Sequence, residues 1–194
     1  MTDKVLLAPP GAGLPGLELV LARSGFRALR AVLGRDRIRD WLASETRKVL
    51  SLARDLPADA MRRPVLIRRP AGLEDSSRNW SAAMVVQHLV IVDTGIGEVI
   101  AALSDNRAFE REVRIADVKP AADAGPEQLA CLAGAVETYL ARLAAIADLR
   151  TARRHAHPWF GSLDGHGWHV LAAVHTLIHR RQLEAIVRVL RNAP

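Results

Sequence analysis

The chain has 194 residues, a formal charge of +6, and 49% hydrophobic against 25% charged residues. That is long enough for one domain with a buried core, and too apolar for a disordered chain. Aromatics are only 4% while Ala, Leu and Arg abound, so composition points to an all-α fold. The positive excess is mostly Arg interspersed with Asp and Glu, which reads as solvated helix faces and gives no specific nucleic-acid site.

The first stretch, Met1–Pro15, carries Pro9 and Pro10 and reads as an extended or disordered arm. From Leu17 to Leu33, the residues Leu17, Val20, Leu21, Ala28, Leu29, Val32 and Leu33 recur at helical spacing, with Arg23, Arg27 and Arg30 on the other side. This is a short basic amphipathic helix, suited to a membrane surface, to packing on its own domain, or to a second subunit, so a homodimer is expected. No transmembrane segment is expected: the apolar run Leu14–Ala22 is broken by Pro15, Gly16 and Glu18, is too short for a bilayer, and lacks the pattern of a signal peptide. The natural division is 1–34, arm and extra helix, and 35–194, a helical bundle.

The first bundle helix is predicted over Arg35–Leu56, with a stripe of Ile38, Leu42, Val49 and Leu52, and Pro57 ends it. Glu45 falls seven residues from both Ile38 and Leu52, on that seam. Residues 57–79 form a long connection in which Val65–Ile67 is at most a short extended piece. The second bundle helix starts with Ser81 as N-cap and with Trp80 and Val85 at the positions of a hydrophobic staple, and runs to about Leu103. Its stripe of Met84, Val85, His88, Ile91, Val92, Gly95 and Val99 puts His88 on the buried face, while Asp93 and Glu98 read as solvated.

After a second long connection, 104–125, a third helix begins near Pro126 and runs to about Leu149. It carries the single cysteine, Cys131, among small apolar residues. A lone thiol makes no internal disulfide, fits a reducing, cytoplasmic setting, and reads here as buried and inert. A turn-rich stretch, His155–Gly165, leads to a last helix capped by Asp164 with Leu163 and Trp168 at staple spacing. Its face carries Trp168, Leu171, His175, Ile178, His179, Gln182 and Ile186. The long connections allow crossovers, so a simple up-down-up-down order is not required.

Two histidines four apart stack on one helix face about a turn from each other, where both reach one ion. With inward-facing His88 from another helix, three neutral imidazoles suit a divalent transition metal, zinc or nickel first among them. Three protein ligands leave positions open for water or for a small-molecule substrate. A metal there lowers the pKa of a bound water or thiol and generates a nucleophile. The alternative is a non-enzymatic stress-response or ligand-binding module whose metal is structural or sensory.

The segment Trp80-Ser81-x-x-x-Val85-x-x-His88-Leu89 resembles the second-helix signature of the DinB-like (damage-inducible, YfiT-related) superfamily. His157-Pro158-Trp159-Phe160-Gly161-x-Leu163, then Trp168 and His175-x-x-x-His179-x-x-Gln182-Leu183, resembles its last-helix signature. The resemblance covers about Arg35 to Asn192. It implies an up-down-down-up four-helix bundle with a metal at one end, bound by His88, His175 and His179. Characterised members include thiol-dependent enzymes that isomerise maleylpyruvate with mycothiol or transfer bacillithiol or a related low-molecular-weight thiol to electrophiles. Many members have no known activity, and the N-terminal arm and helix lie outside the resemblance.

Glu45 is the one candidate for acid–base work: either it points into the metal cavity as partner or proton acceptor, or a one-residue shift of phase leaves it at the surface. Gln182 is placed to hydrogen-bond a ligand imidazole or to satisfy backbone in the core. His157 reads as fixing the turn before the last helix, His166 and His169 as partly exposed, and Trp80, Trp159 and Trp168 as core anchors.

Overall fold

A computed structural model of the chain describes residues 6–192. The part of the expected arm before Leu6 lies outside the described residues. Six helices form: α1 (Gly16–Val32), α2 (Arg35–Arg54), the short α3 (Ala58–Arg62), α4 (Ala82–Ser104), α5 (Gln128–Ala144) and α6 (Gly165–Asn192). Strands β1 (His155–His157) and β2 (Gly161–Leu163) make a small antiparallel hairpin just before α6.

Four of these helices, α2, α4, α5 and α6, form the bundle, and two core clusters give their directions. One cluster holds Val49 and Ala53 of α2, Val85 and Leu89 of α4, Leu132 and Val136 of α5, and Leu183 and Ile186 of α6. The other holds Ile38 and Leu42, Ile96 and Ile100, Tyr139 and Leu143, and Trp168 and Leu171. Each helix therefore passes from one cluster to the other: α2 and α6 run one way, α4 and α5 the opposite way. This is the up-down-down-up bundle, and the long connections carry the chain across it.

The helix starts are those their sequences encode. Ser81 Oγ accepts the Met84 amide at 3.2 Å, and the flanking Trp80 and Val85 are both buried. Asp164 Oδ1 accepts the Gly167 amide at 2.8 Å at the start of α6. The end of α5 is different from expectation. It stops at Ala144, short of Leu149, because Arg35 from α2 donates to the Leu143 carbonyl and, at 2.6 Å, to the Ile146 carbonyl. Those orphan carbonyls at a helix end find a guanidinium instead of a further turn. Leu149 is buried all the same, and its carbonyl accepts the His166 amide.

The hairpin was not legible as strand, since six paired residues of His, Ala, Gly, Ser and Leu carry little alternation. Val65–Ile67 is extended without forming a strand: the Val65 and Ile67 amides donate to the Trp80 and Arg78 carbonyls. Cys131 is exposed, not buried, because α5 packs through Leu132, Val136, Tyr139 and Leu143.

Helix α1 packs on its own bundle through a face rolled away from the expected stripe, which keeps only Leu29 and Leu33 of that stripe against the core. Phe26 is its buried residue and stacks on Phe160 with ring centroids 4.4 Å apart. Polar contacts fix that roll: Arg30 pairs with Asp164 at 3.0 Å, Arg23 donates to the Trp159 carbonyl, and Glu18 pairs with Arg69. Leu17, Leu21 and Val32 are left 75%, 64% and 70% exposed. The arm before it is tied down by Glu74, whose carboxylate accepts the Gly11 amide at 2.8 Å and the Gly13 amide at 3.3 Å. Helix α4 is long and apolar enough to cross a bilayer by length and composition, yet more than half of that stretch is buried between its neighbours.

Candidate metal centre

His88 comes from the second turn of α4, and His175 and His179 come from the middle of α6, on the faces that the two antiparallel helices turn to each other. One ring nitrogen from each lies within 4.8 Å of the others. His88 and His179 are 6% and 5% exposed. The three candidate ligands read from the sequence thus converge on one small region of the bundle, a cluster of the size that could hold a metal ion.

What holds the rings matters as much as their proximity. The His88 Nδ1–H donates to the Val118 carbonyl at 2.6 Å. The His179 Nδ1–H donates to Gln182 Oε1 at 2.7 Å, and the Gln182 amide nitrogen donates in turn to the Ser77 carbonyl at 2.7 Å. Both hydrogen bonds fix the tautomer that leaves Nε2 with a free lone pair, the arrangement that metal-ligating histidines share. Gln182 therefore does both of the things its position allowed. His88 Nε2 and His175 Nε2 lie 3.0 Å apart, within hydrogen-bond distance, while the buried Nδ1 of His175 has no hydrogen-bond partner. Trp80 backs the cluster, stacked on His179 at 6.0 Å between centroids and edge-on to His88 at 5.1 Å.

The electrostatics favour neutral rings. Burial lowers His88 to about 4, and burial with the charge of neighbouring rings holds His175 and His179 well below the ordinary value. Neutral imidazole is the form that ligates. Beside the rings, Lys119 Nζ pairs with Glu74 at 3.2 Å, donates to Ser76 Oγ at 2.6 Å, and lies 5.1 Å from the Trp80 ring centroid. Burial raises the Glu74 carboxyl, but hydrogen bonds from Ser76 and Gly13 and the charge of Lys119 outweigh it and leave it below its usual range. Sequence reasoning missed Val118, Lys119, Glu74 and Ser77. They sit on connections, and a backbone carbonyl used as an anchor leaves no mark in composition or periodicity.

The histidines open on a cavity of about 370 Å³, within the range of small-molecule sites. His157 lines it. Its Nδ1 accepts the Trp159 amide at 3.1 Å, fixing the turn as expected, and burial lowers its pKa to about 4. Glu45 does not line the cavity. It is buried, but its carboxylate pairs with Lys48 at 2.7 Å and with Arg180, and these outweigh the upward push of burial. The seam placement was right, and the side chain turns to a neighbouring guanidinium rather than to the imidazoles.

Three other expectations fail. Asp93 is fully buried, and neither carboxylate oxygen has a hydrogen-bond partner, so burial raises it to about 8. Helix α4 is enclosed on both sides by α5 and α6, and a residue opposite the main stripe is still inside. His166 and His169 are buried as well, 4% and 0% exposed. His166 Nε2 meets the Arg30 carbonyl of α1, and His169 Nδ1 lies 2.8 Å from the Tyr139 hydroxyl. Of the three tryptophans, Trp80 and Trp168 are core residues and Trp159 is half-buried.

No protein-family model matches this chain, and no curated protein does. Among solved structures, the chain is similar to TT2238, whose crystal structure is described as that of a four-helix bundle protein. Identity is 24%, the TM-score is 0.56, and the match covers 78% of this chain and 98% of that one. The likeness establishes a four-helix bundle, here with a histidine cluster between two of its helices.

Proposed function

We propose that His88, His175 and His179 hold one divalent transition metal, zinc or nickel, and that its remaining coordination positions face the cavity and take a donor atom of a small molecule. The observation that carries this reading is the convergence of three neutral imidazoles, two of them with the far ring nitrogen already donating to a fixed acceptor. His175 differs from the other two in that its Nδ1 has no such partner, which leaves it the least fixed of the three rings. With three protein ligands and no thiolate, the set matches catalytic rather than closed structural sites.

When bound, the metal supplies a Lewis acid that activates a water or a thiol. The protein's own groups orient the rings and hold them neutral, while Lys119 sets a positive charge beside them. The DinB-like motifs support the more specific reading of a metal-dependent hydrolase or a transferase of a low-molecular-weight thiol, acting in the cytoplasm. A non-catalytic role for the metal draws support from one observation. Glu74, a buried carboxylate lining the cavity, is already committed to Lys119, Ser76 and two backbone amides. Assembly as a homodimer through the exposed Leu17, Leu21 and Val32 belongs to the same reading, and sedimentation of the wild type against Leu21→Glu tests it.

Elemental analysis of the purified protein, with zinc and nickel titrations of wild type, His88→Ala and His175→Ala, tests the metal. About one equivalent in the wild type and none in either variant is the expected result. Equal metal content in all three overturns the reading. Turnover of an electrophile with glutathione or another thiol by metal-loaded protein then separates enzyme from binding module: a metal-dependent rate supports the transferase, and background rates across several thiols count against it.

A further inference from the structure

The cavity beside the histidines is a slot, and its length runs along two antiparallel helices. At one end His88 of α4 faces His175 and His179 of α6; at the other, Ile96 and Val99 share a core with Trp168 and Leu171, and all of these residues line the cavity. From His88 to Val99, as from His179 back to Trp168, the rise along the helix is about 16 Å at 1.5 Å per residue. Phe26 and Leu29 of α1 and Phe160 of the hairpin also line it, so the extra N-terminal helix supplies wall to the apolar half.

Gly95 gives the slot its width. It lies in the interior of α4 and lines the cavity, where glycine costs about 1 kcal/mol relative to alanine. Nothing in the fold asks for it: a Cβ there would meet only the flexible end of Arg111, at an ordinary 3.6 Å. Gly97, two residues on, is different, because a Cβ there comes to 3.2 Å from the Tyr139 ring. The missing side chain at 95 therefore opens ligand space rather than letting helices approach.

Charge marks the other end. Around the cavity three cations, Arg111, Arg114 and Lys119, match three carboxylates, Glu74, Glu112 and Asp117, so a dication on the rings, which ligate in the neutral form, leaves positive charge in excess. We propose that this slot takes an elongated, unbranched apolar chain with a monoanionic oxygen head, of fatty-acid type, its head at the histidines and its tail between α4 and α6 under α1. The placement of the head rests on the metal reading of the same site; the tail half rests on the slot alone.

The probes are hexanoate, octanoate, decanoate and dodecanoate, titrated calorimetrically into zinc-loaded and metal-free full-length protein, wild type and Gly95→Leu. Each added methylene is expected to tighten binding about fourfold, the equivalent of about 0.8 kcal/mol, until the chain outruns the slot. Zinc-loaded protein binds each acid more tightly than metal-free protein does. Gly95→Leu, with unchanged zinc affinity and circular dichroism, weakens decanoate at least tenfold and hexanoate far less. Affinity that does not depend on chain length, or a Gly95→Leu variant that binds decanoate like wild type, overturns the proposal even where zinc binds. Chain-length dependence in a protein that binds no zinc overturns the metal reading and the head placement, and leaves the slot standing.

Discussion

Two of the bundle's buried polar clusters differ in what their lone pairs face. In the first, His88, His175 and His179 turn ring nitrogens toward one another and toward a cavity, with Val118 and Gln182 holding two of the rings from behind. In the second, Asp93 of α4 lies near the Tyr139–His169 pair, closely enough that its charge pushes the phenol further up, and neither Asp93 nor Tyr139 nor His169 lines the cavity. Burial perturbs both clusters about equally, lowering His88 and His169 alike to about 4. A shifted pKa therefore does not distinguish them. Convergence of unshared lone pairs on accessible space does, and only the first cluster has it.

The comparison breaks most visibly at a ligand. His175→Ala is expected to lower zinc affinity by more than about a hundredfold, beyond what loss of a supporting hydrogen bond does. His169→Ala, an equally buried histidine, is expected to leave zinc affinity unchanged while lowering stability. Zinc titration followed by a chelator competition reads both, and equal losses in the two variants would erase the distinction.

The pH dependence of stability separates the clusters next. His88 has its folded pKa lowered from 6.5 to about 4, so the unfolded chain takes up protons first and stability is lost as pH falls from about 6.5 toward 4. Asp93 has its folded pKa raised from 3.8 to about 8, so its contribution is present in acid and lost as pH rises through that range. Between pH 6.5 and 8 only Asp93 of these groups is in its window. Urea unfolding of metal-free protein is expected to show the wild type losing about 2 kcal/mol relative to Asp93→Asn across that interval, at about 1.36 kcal/mol per pH unit, the histidine contributions being common to both. Asp93→Asn should remove this slope and be the more stable protein at pH 8. A difference between wild type and Asp93→Asn that stays constant from pH 6.5 to 8 would mean Asp93 ionises freely.

Smaller effects sharpen the picture of the first cluster. Gln182→Leu strips the acceptor from His179 and the donor from the Ser77 carbonyl, and zinc affinity should drop ten- to a hundredfold with the three ligands intact. Ser81→Ala removes the cap of the helix that carries both His88 and Asp93, and should cost about 1 kcal/mol of stability with no selective effect on either cluster. Chelator competition and urea melts measure these two, and a selective loss of zinc affinity in Ser81→Ala would show that the start of α4 positions the metal rings.

Sequence periodicity and end signals were enough for the helices and for the three histidines, because each depends on local rules. A stripe at 3.6-residue spacing names the buried face, Ser81 and Asp164 name the starts, and two histidines four apart share a face wherever the helix packs. The roll of α1 was different: Leu17, Leu21 and Val32 of its expected stripe are outside, because Arg30, Arg23, Glu18 and Phe26 find partners far along the chain at Asp164, Trp159, Arg69 and Phe160. Asp93 was misread for a related reason, since amphipathic patterning assumes one wet face and α4 has almost none. Glu45 was placed on the right seam, but its choice of Arg180 over the imidazoles depended on how α2 sits against α6.

The sequence by itself determined which segments form the four bundle helices, where they begin, and that His88, His175 and His179 lie on inner faces, since those follow from side chains a few residues apart; it missed α3 and the burial of His166 and His169. Tertiary structure alone decided that those rings meet, that the Val118 carbonyl fixes the His88 tautomer, and that α1 and the hairpin wall a cavity beside them. Each of these needs groups 30 to 150 positions apart brought within a few ångströms, as with His88 and His175 at 3.0 Å. Such contacts are set by how whole helices pack, and no local spacing encodes that.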